Sequence, residues 1–207
     1  GKKFRDRFLV LFDKNMVSKM TNFSGDTTQE IFGQYINHLV KRINLLHARF
    51  AGEDLEKLRA RPQPFRDTSI FIEDKEPISK IRERFADLYL YHLVWWQDTN
   101  VLNLEMNDLQ KWLKHILSTR KINFDWLITW VNTDPSLSLH EISLADFWGG
   151  NQSASSETII PPAFTLEGKA QIDVFLAEIE SALPDPLIVA SQKSEFLESY
   201  RKAYMEK

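Results

Sequence analysis

From Ile31 onward the apolar residues of this chain recur at every third or fourth position. Ile31, Tyr35, Leu39, Ile43, Leu46 and Phe50 form one stripe, which Phe32, Ile36 and Val40 widen. That spacing places side chains on one face of a helix, whereas a strand changes face at every residue. The widened stripe predicts a helix packed on two sides. Thr27 to Glu30 reads T-x-x-E, a capping box in which the Thr hydroxyl and the Glu carboxylate each satisfy an orphan backbone N–H, so the helix is expected to start there. Gly52 suits its C-terminal cap. With only 7 glycines in 207 residues, tight turns are few, and the pattern predicts an all-α chain.

The same reading extends along the sequence. A first helix is expected over residues 2–21, with Phe4, Phe8, Leu9, Phe12, Met16 and Met20 on one face. A short one over 53–61 is stopped by Pro62 and Pro64. Pro77 suits a first helical position, followed by Ile78, Ile81, Phe85, Leu88, His92 and Trp95 as a buried face, with Tyr89, Leu93 and Trp96 beside it. Asn103 can cap a helix carrying Leu102, Met106, Leu109, Leu113 and Ile116. Asn123 can cap another with Phe124, Leu127, Trp130 and Val131, ended by Asp134-Pro135. Residues 134–162 break the pattern, and the polar tract Asn151 to Thr158 reads as a mobile loop. Thr165 can cap a helix carrying Ile172, Phe175, Leu176, Ile179 and Leu183. Asp185-Pro186 starts a last one, with Leu187, Val189, Ala190, Phe196, Leu197, Tyr200 and Tyr204. The sum is an irregular multi-helix bundle of about seven or eight helices, in one body or in two lobes. Its expected parts are an N-terminal helical region (1–133), a linker and loop (134–165), and a C-terminal helical pair (166–207) packing on the same domain.

Composition excludes several functions. Without Cys there is no disulfide scaffold, thiol nucleophile or thiolate zinc site. A net charge of -3 gives no general field for a phosphate backbone, so no nucleic acid is expected as partner. Apolar runs such as Phe8 to Phe12 fall far short of a bilayer span. The start, Gly1-Lys2-Lys3-Phe4, has no signal-peptide core behind it, and the chain reads as a soluble piece. Five histidines, His38, His47, His92, His115 and His140, include no H-x-x-x-H pair, and no metal site is proposed. His92, on an apolar face, reads as a satisfied core or helix-interface residue, the others as surface or interface residues. Phosphate-binding loops and serine-nucleophile motifs are missing. Six tryptophans fall on or beside helical stripes and read mainly as core, except Trp148, which with Phe147 adjoins the polar tract and suits partner contact.

Certain strings carry more than periodicity. These are Lys41-Arg-Ile-Asn-Leu-Leu-His-Ala-Arg49, Trp126 to Trp130, Leu144-Ala-Asp-Phe-Trp-Gly-Gly150, and Ile160-Pro-Pro-Ala-Phe-Thr-Leu-Glu-Gly168 followed by Phe196-x-x-x-Tyr200 and Tyr204. In order and spacing they resemble the IcmF-related region of the large inner-membrane component of bacterial type VI secretion, the IcmF or TssM family. The resemblance covers residues from about 35 to 204 and implies a mostly helical, periplasmic fragment of a protein anchored in the inner membrane. It implies an outer-membrane lipoprotein and an inner-membrane partner as neighbours, and leaves room for self-association. The chain lacks the family's membrane helices and phosphate-binding loop, so no nucleotide activity carries over.

The expectation is therefore a structural scaffold that works through protein–protein contacts, with no catalytic residues, cofactor or metal. Phe147, Trp148, Pro161, Pro162 and Phe164 are the candidate partner contacts, weighed against the alternative that they pin the loop to the domain's own core. Two other readings stay open. One is an enzyme acting on cell-wall glycan through tryptophan platforms and a carboxylate pair. The other is a helical small-molecule-binding module.

Overall fold

The computed structural model describes residues 27–65, 78–119, 124–143 and 159–206. Among these, seven α-helices carry almost all the regular structure: α1 (Thr27–Phe50), α2 (Leu55–Ala60), α3 (Ile78–Trp95), α4 (Thr99–Thr119), α5 (Trp126–Thr133), α6 (Leu166–Ala182) and α7 (Ala190–Met205). A two-stranded antiparallel ladder, β1 (Ile142–Ser143) with β2 (Ile159–Ile160), pairs Ile142 with Ile160 and Ser143 with Ile159. The fold is an all-α multi-helix bundle, as the periodicity predicts. The helix expected over residues 2–21 and the loop expected over 151–158 lie outside the described residues.

Helix α1 is the axis of the bundle and contacts α2, α3, α4, α5 and α6. Its stripe is buried at Tyr35, Leu39, Ile43 and Leu46, and so are Phe32, Ile36 and Val40. Enclosure goes beyond the two sides expected, because the polar Gln34, Asn37, His38 and Arg42 are buried as well. The helix ends in a Schellman cap: Gly52 takes φ 85°, its N–H reaches the Arg49 carbonyl, and the Glu53 N–H reaches that of Ala48. The prolines after α2 and the Asp54 side chain, which accepts from the Lys57 N–H, bound the next element.

Two expected faces are rotated or displaced. On α3, Leu88 is 48% and Trp95 70% exposed, whereas Ala86, Tyr89, Leu90, His92 and Leu93 are buried. The buried face is turned about one residue from the periodic one, since Tyr89 and His92 must reach a carboxylate on α4. Helix α4 begins at Thr99, four residues before the expected Asn103 cap, because the Asp98 side chain already accepts from the Asn100 N–H. Its stripe of Leu102, Leu109, Leu113 and Ile116 is buried. After α6, Asp185 accepts from the Leu187 N–H at the start of the 3-10 turn Pro186–Val189, which leaves Leu187 79% exposed rather than inward. No helix among the described residues is long and apolar enough to cross a membrane. Their buried apolar side chains join in one core from α1 to α7.

Candidate functional site

Two constructions stand out, a corner built from the P-P-A-F-T-L-E-G string and a charged hub inside the bundle. The corner starts with chain stiffness. Pro161 is extended (φ -60°, ψ 151°) and Pro162 opens a 3-10 turn through Phe164, a path that the fixed proline φ prepares. Thr165 then works twice, donating its hydroxyl to the Pro162 carbonyl (2.8 Å) and accepting from the Gly168 N–H (3.0 Å) as the N-cap of α6. Helix and turn pass so closely that a Cβ on Gly168 would lie 1.9 Å from the Pro162 oxygen. Glycine is required at this point for contact rather than for backbone freedom.

Ala163 is fully buried inside the turn, and side chains from two helices hold its main chain. The Asn132 side-chain Oδ1, at the end of α5, accepts from the Ala163 N–H (2.8 Å). From α7, the Tyr200 hydroxyl donates to the Ala163 carbonyl. Burial, then the neighbouring Tyr204 and Asp173, push the Tyr200 phenol up to about 12, so it keeps its proton over any ordinary pH. The Phe164 ring stacks on Tyr200 with centroids 5.6 Å apart, and Tyr200 stacks on Phe196. Pro161, Pro162 and Phe164 are all half-buried. The turn that carries these three candidates packs against α5 and α6 and sets Phe164 against α7, while Phe147 and Trp148 lie outside the described residues.

The hub is a feature that sequence reasoning missed. Arg42 of α1 and Glu105 of α4 meet at 2.8 Å, with 1% and 12% of their side chains exposed. Glu105 Oε1 also accepts from the Tyr89 hydroxyl at 2.9 Å, and Oε2 faces His92 Nε2 at 3.3 Å. The guanidinium lies over the Tyr89 and Phe65 rings, 5.5 and 5.9 Å from their centroids, a cation–π placement. Burial alone would raise the Glu105 carboxyl, but the His92 hydrogen bond and the Arg42 charge outweigh it and hold the group at about 2. Such a carboxylate is a poor general base, since its basicity is spent on three donors. Next to it, His38 bonds the Pro64 carbonyl at 2.8 Å through Nδ1. Burial, reinforced by the Arg42 charge, lowers its imidazole to about 3. His38 is therefore a buried neutral ring rather than the surface or interface residue expected.

His92 is a core histidine, as its place on an apolar face suggests. The described tryptophans divide: Trp126 and Trp130 are buried, Trp96 and Trp112 half-buried, and Trp95 stands exposed against Tyr91 with ring centroids 4.6 Å apart. Among the described residues no group of three or more His, Asp or Glu is placed to hold a metal ion. Comparison of the chain with protein-family models, with curated proteins and with solved structures finds no match in any of the three.

Proposed function

We propose that the chain is a structural scaffold segment of a type VI secretion membrane complex, acting through protein–protein contacts rather than catalysis. In this reading the parent protein is anchored in the bacterial inner membrane and the segment lies on the periplasmic side. Its partners are the outer-membrane lipoprotein and the inner-membrane component of that complex, with self-association as a further contact. One observation carries the scaffold reading: the residues of the P-P-A-F-T-L-E-G string are knotted to α5 and α7 through both main-chain groups of Ala163. The string thus makes a rigid corner, and rigidity lets a scaffold hold a contact surface at low entropic cost. Supporting it, other strings of the resemblance pack on α6, the helix that the corner starts. Trp126 and Trp130 both contact Phe175 of α6, while Asn44 of α1 donates to the Glu178 carbonyl.

The test is recovery of the two envelope partners by the immobilised chain, compared with a Phe147→Ala/Trp148→Ala variant of equal thermal stability. The scaffold reading expects both partners with the parent chain and loss of at least one with the variant. Equal recovery would remove Phe147 and Trp148 from the contact surface. Recovery of neither partner by the parent chain would overturn the secretion reading.

A further inference from the structure

From Phe32 to Val40 α1 is enclosed on every side, each residue being buried. From Lys41 on it is not. Lys41, Asn44 and His47 are half-buried and Ala51, just past the helix end, is exposed. These residues follow one another at three- and four-residue spacing, so they share a face. On the neighbouring helix α6, Val174, Ala177 and Ser181 are exposed at the same spacing. Between the two stripes runs an open groove of about 540 Å³, with Leu45 and Ala48 of α1 also in its lining. From Lys41 to Ala51 its α1 side is about 15 Å long, three helical turns.

The shape favours one kind of occupant. Two adjacent helices, one showing Val174, Ala177 and Ser181 and the other Ala48 and Ala51 among the longer Lys41, Asn44 and His47, leave the space a third helix takes when ridges pack into grooves, and alanines let its backbone come close. A small molecule would need enclosure on most sides, which an open groove does not give. The charge pattern narrows the choice further. At the α2 border Glu53 is already held by Arg61 through both carboxylate oxygens. Glu178 is different: burial raises its carboxyl above the ordinary range, and the charge of Lys41 across the groove only partly offsets this. A half-buried carboxylate in that condition is stabilised by a further charge-assisted donor, for which the planar guanidinium is best suited.

We propose that the groove between α1 and α6 seats an amphipathic helix of another protein, with its apolar face against Ala48, Val174 and Ala177 and an arginine facing Glu178. This docking does not depend on which assembly the chain serves, so it stands or falls separately from the secretion reading. The mode is helix-in-groove recognition, read out through anchors three and four residues apart.

The probe is an amidated, labelled peptide of about 15 residues, with alanine and leucine along one face and a single central arginine, titrated against the full chain by fluorescence anisotropy. Binding is expected below about 1 mM, and about tenfold weaker when glutamate replaces the arginine. Glu178→Lys should reverse that preference, and Ala177→Trp, which fills the groove from an exposed position, should abolish binding of both peptides. Absence of binding by the arginine peptide would overturn the proposal, as would an unchanged preference in Glu178→Lys. Sedimentation showing that the chain alone self-associates, and that Ala177→Trp abolishes this, would overturn it by making a second copy the occupant.

Discussion

The guanidinium of Arg42 and the carboxylate of Glu105 face each other at 2.8 Å between α1 and α4, almost wholly out of water. Tyr89 and His92 of α3 converge on the same carboxylate, so one side chain ties three helices. A buried pair of this kind costs most when it is broken from one side, because the remaining charge keeps its desolvation penalty. Glu105→Gln is therefore expected to destabilise the fold by about 3–5 kcal/mol. Arg42→Met combined with Glu105→Leu should lose less than Glu105→Gln alone. Urea denaturation of the three chains at neutral pH checks the order, and a double variant weaker than the single one would contradict it.

Stability should fall in acid in two stages, for two reasons. His38 is neutral in the fold down to about pH 3, whereas an unfolded imidazole binds a proton below about 6.5. The unfolded state thus holds the extra proton between those values, and stability declines as pH drops through that window. Glu105 acts lower: held at about 2 in the fold, its contribution is present above the ordinary carboxyl value and is lost as pH falls toward 2. Across its full window His38 is worth on the order of 5 kcal/mol and Glu105 on the order of 3 kcal/mol. Urea midpoints measured from pH 7 to 5 should slope downward in the parent chain and flatten in His38→Gln. An equal slope in both would remove His38 as the cause.

Part of the corner was legible in the sequence, whereas the hub was missed. Arg42 sits at the helical spacing between Leu39 and Leu46, and Glu105 between Leu102 and Leu109. A charge on an apolar stripe signals a buried pair, yet spacing cannot tell which opposite charge 63 residues away will meet it. The stripes of α1, α4 and α6 followed from period alone. On α3 the period held at His92 but failed at Leu88 and Trp95, which stand outside because Tyr89, beside the expected face, turns inward to Glu105. Thr165 was readable as an N-cap, whereas its second bond to Pro162 and the need for Gly168 arise only from how closely turn and helix cross.

Three glycines should respond to alanine in three different degrees. At Gly168 the added methyl meets backbone at 1.9 Å, which cannot yield without separating turn from helix, so a loss of about 4 kcal/mol is expected. At Gly33 the nearest atoms belong to the Trp126 and Trp130 side chains at 3.0 Å, and about 1–2 kcal/mol should follow from overpacking. Gly52 has nothing within 4 Å but takes φ 85°, so only backbone strain of about 1 kcal/mol remains. Thermal unfolding of the three variants should rank them in that order. A Gly168→Ala variant as stable as Gly52→Ala would mean the corner is not close-packed.

The Ala163 clamp predicts unequal losses from its two arms. Tyr200→Phe keeps the ring stack with Phe164 but leaves a buried carbonyl without its donor, which should cost about 1–3 kcal/mol. Asn132 is exposed and its bond to the Ala163 N–H is only partly buried. Water can replace that acceptor, so Asn132→Ala should lose about 0.5–1 kcal/mol. Both arms hold one residue of one turn, so the double variant should depart from additivity by about 0.5 kcal/mol or more. Ultraviolet titration adds a check on the donor itself: one tyrosine titrating near 12 in the parent chain should vanish in Tyr200→Phe. Additive losses would mean that α5 and α7 hold the turn independently, and the corner would then be two separate contacts instead of one clamp.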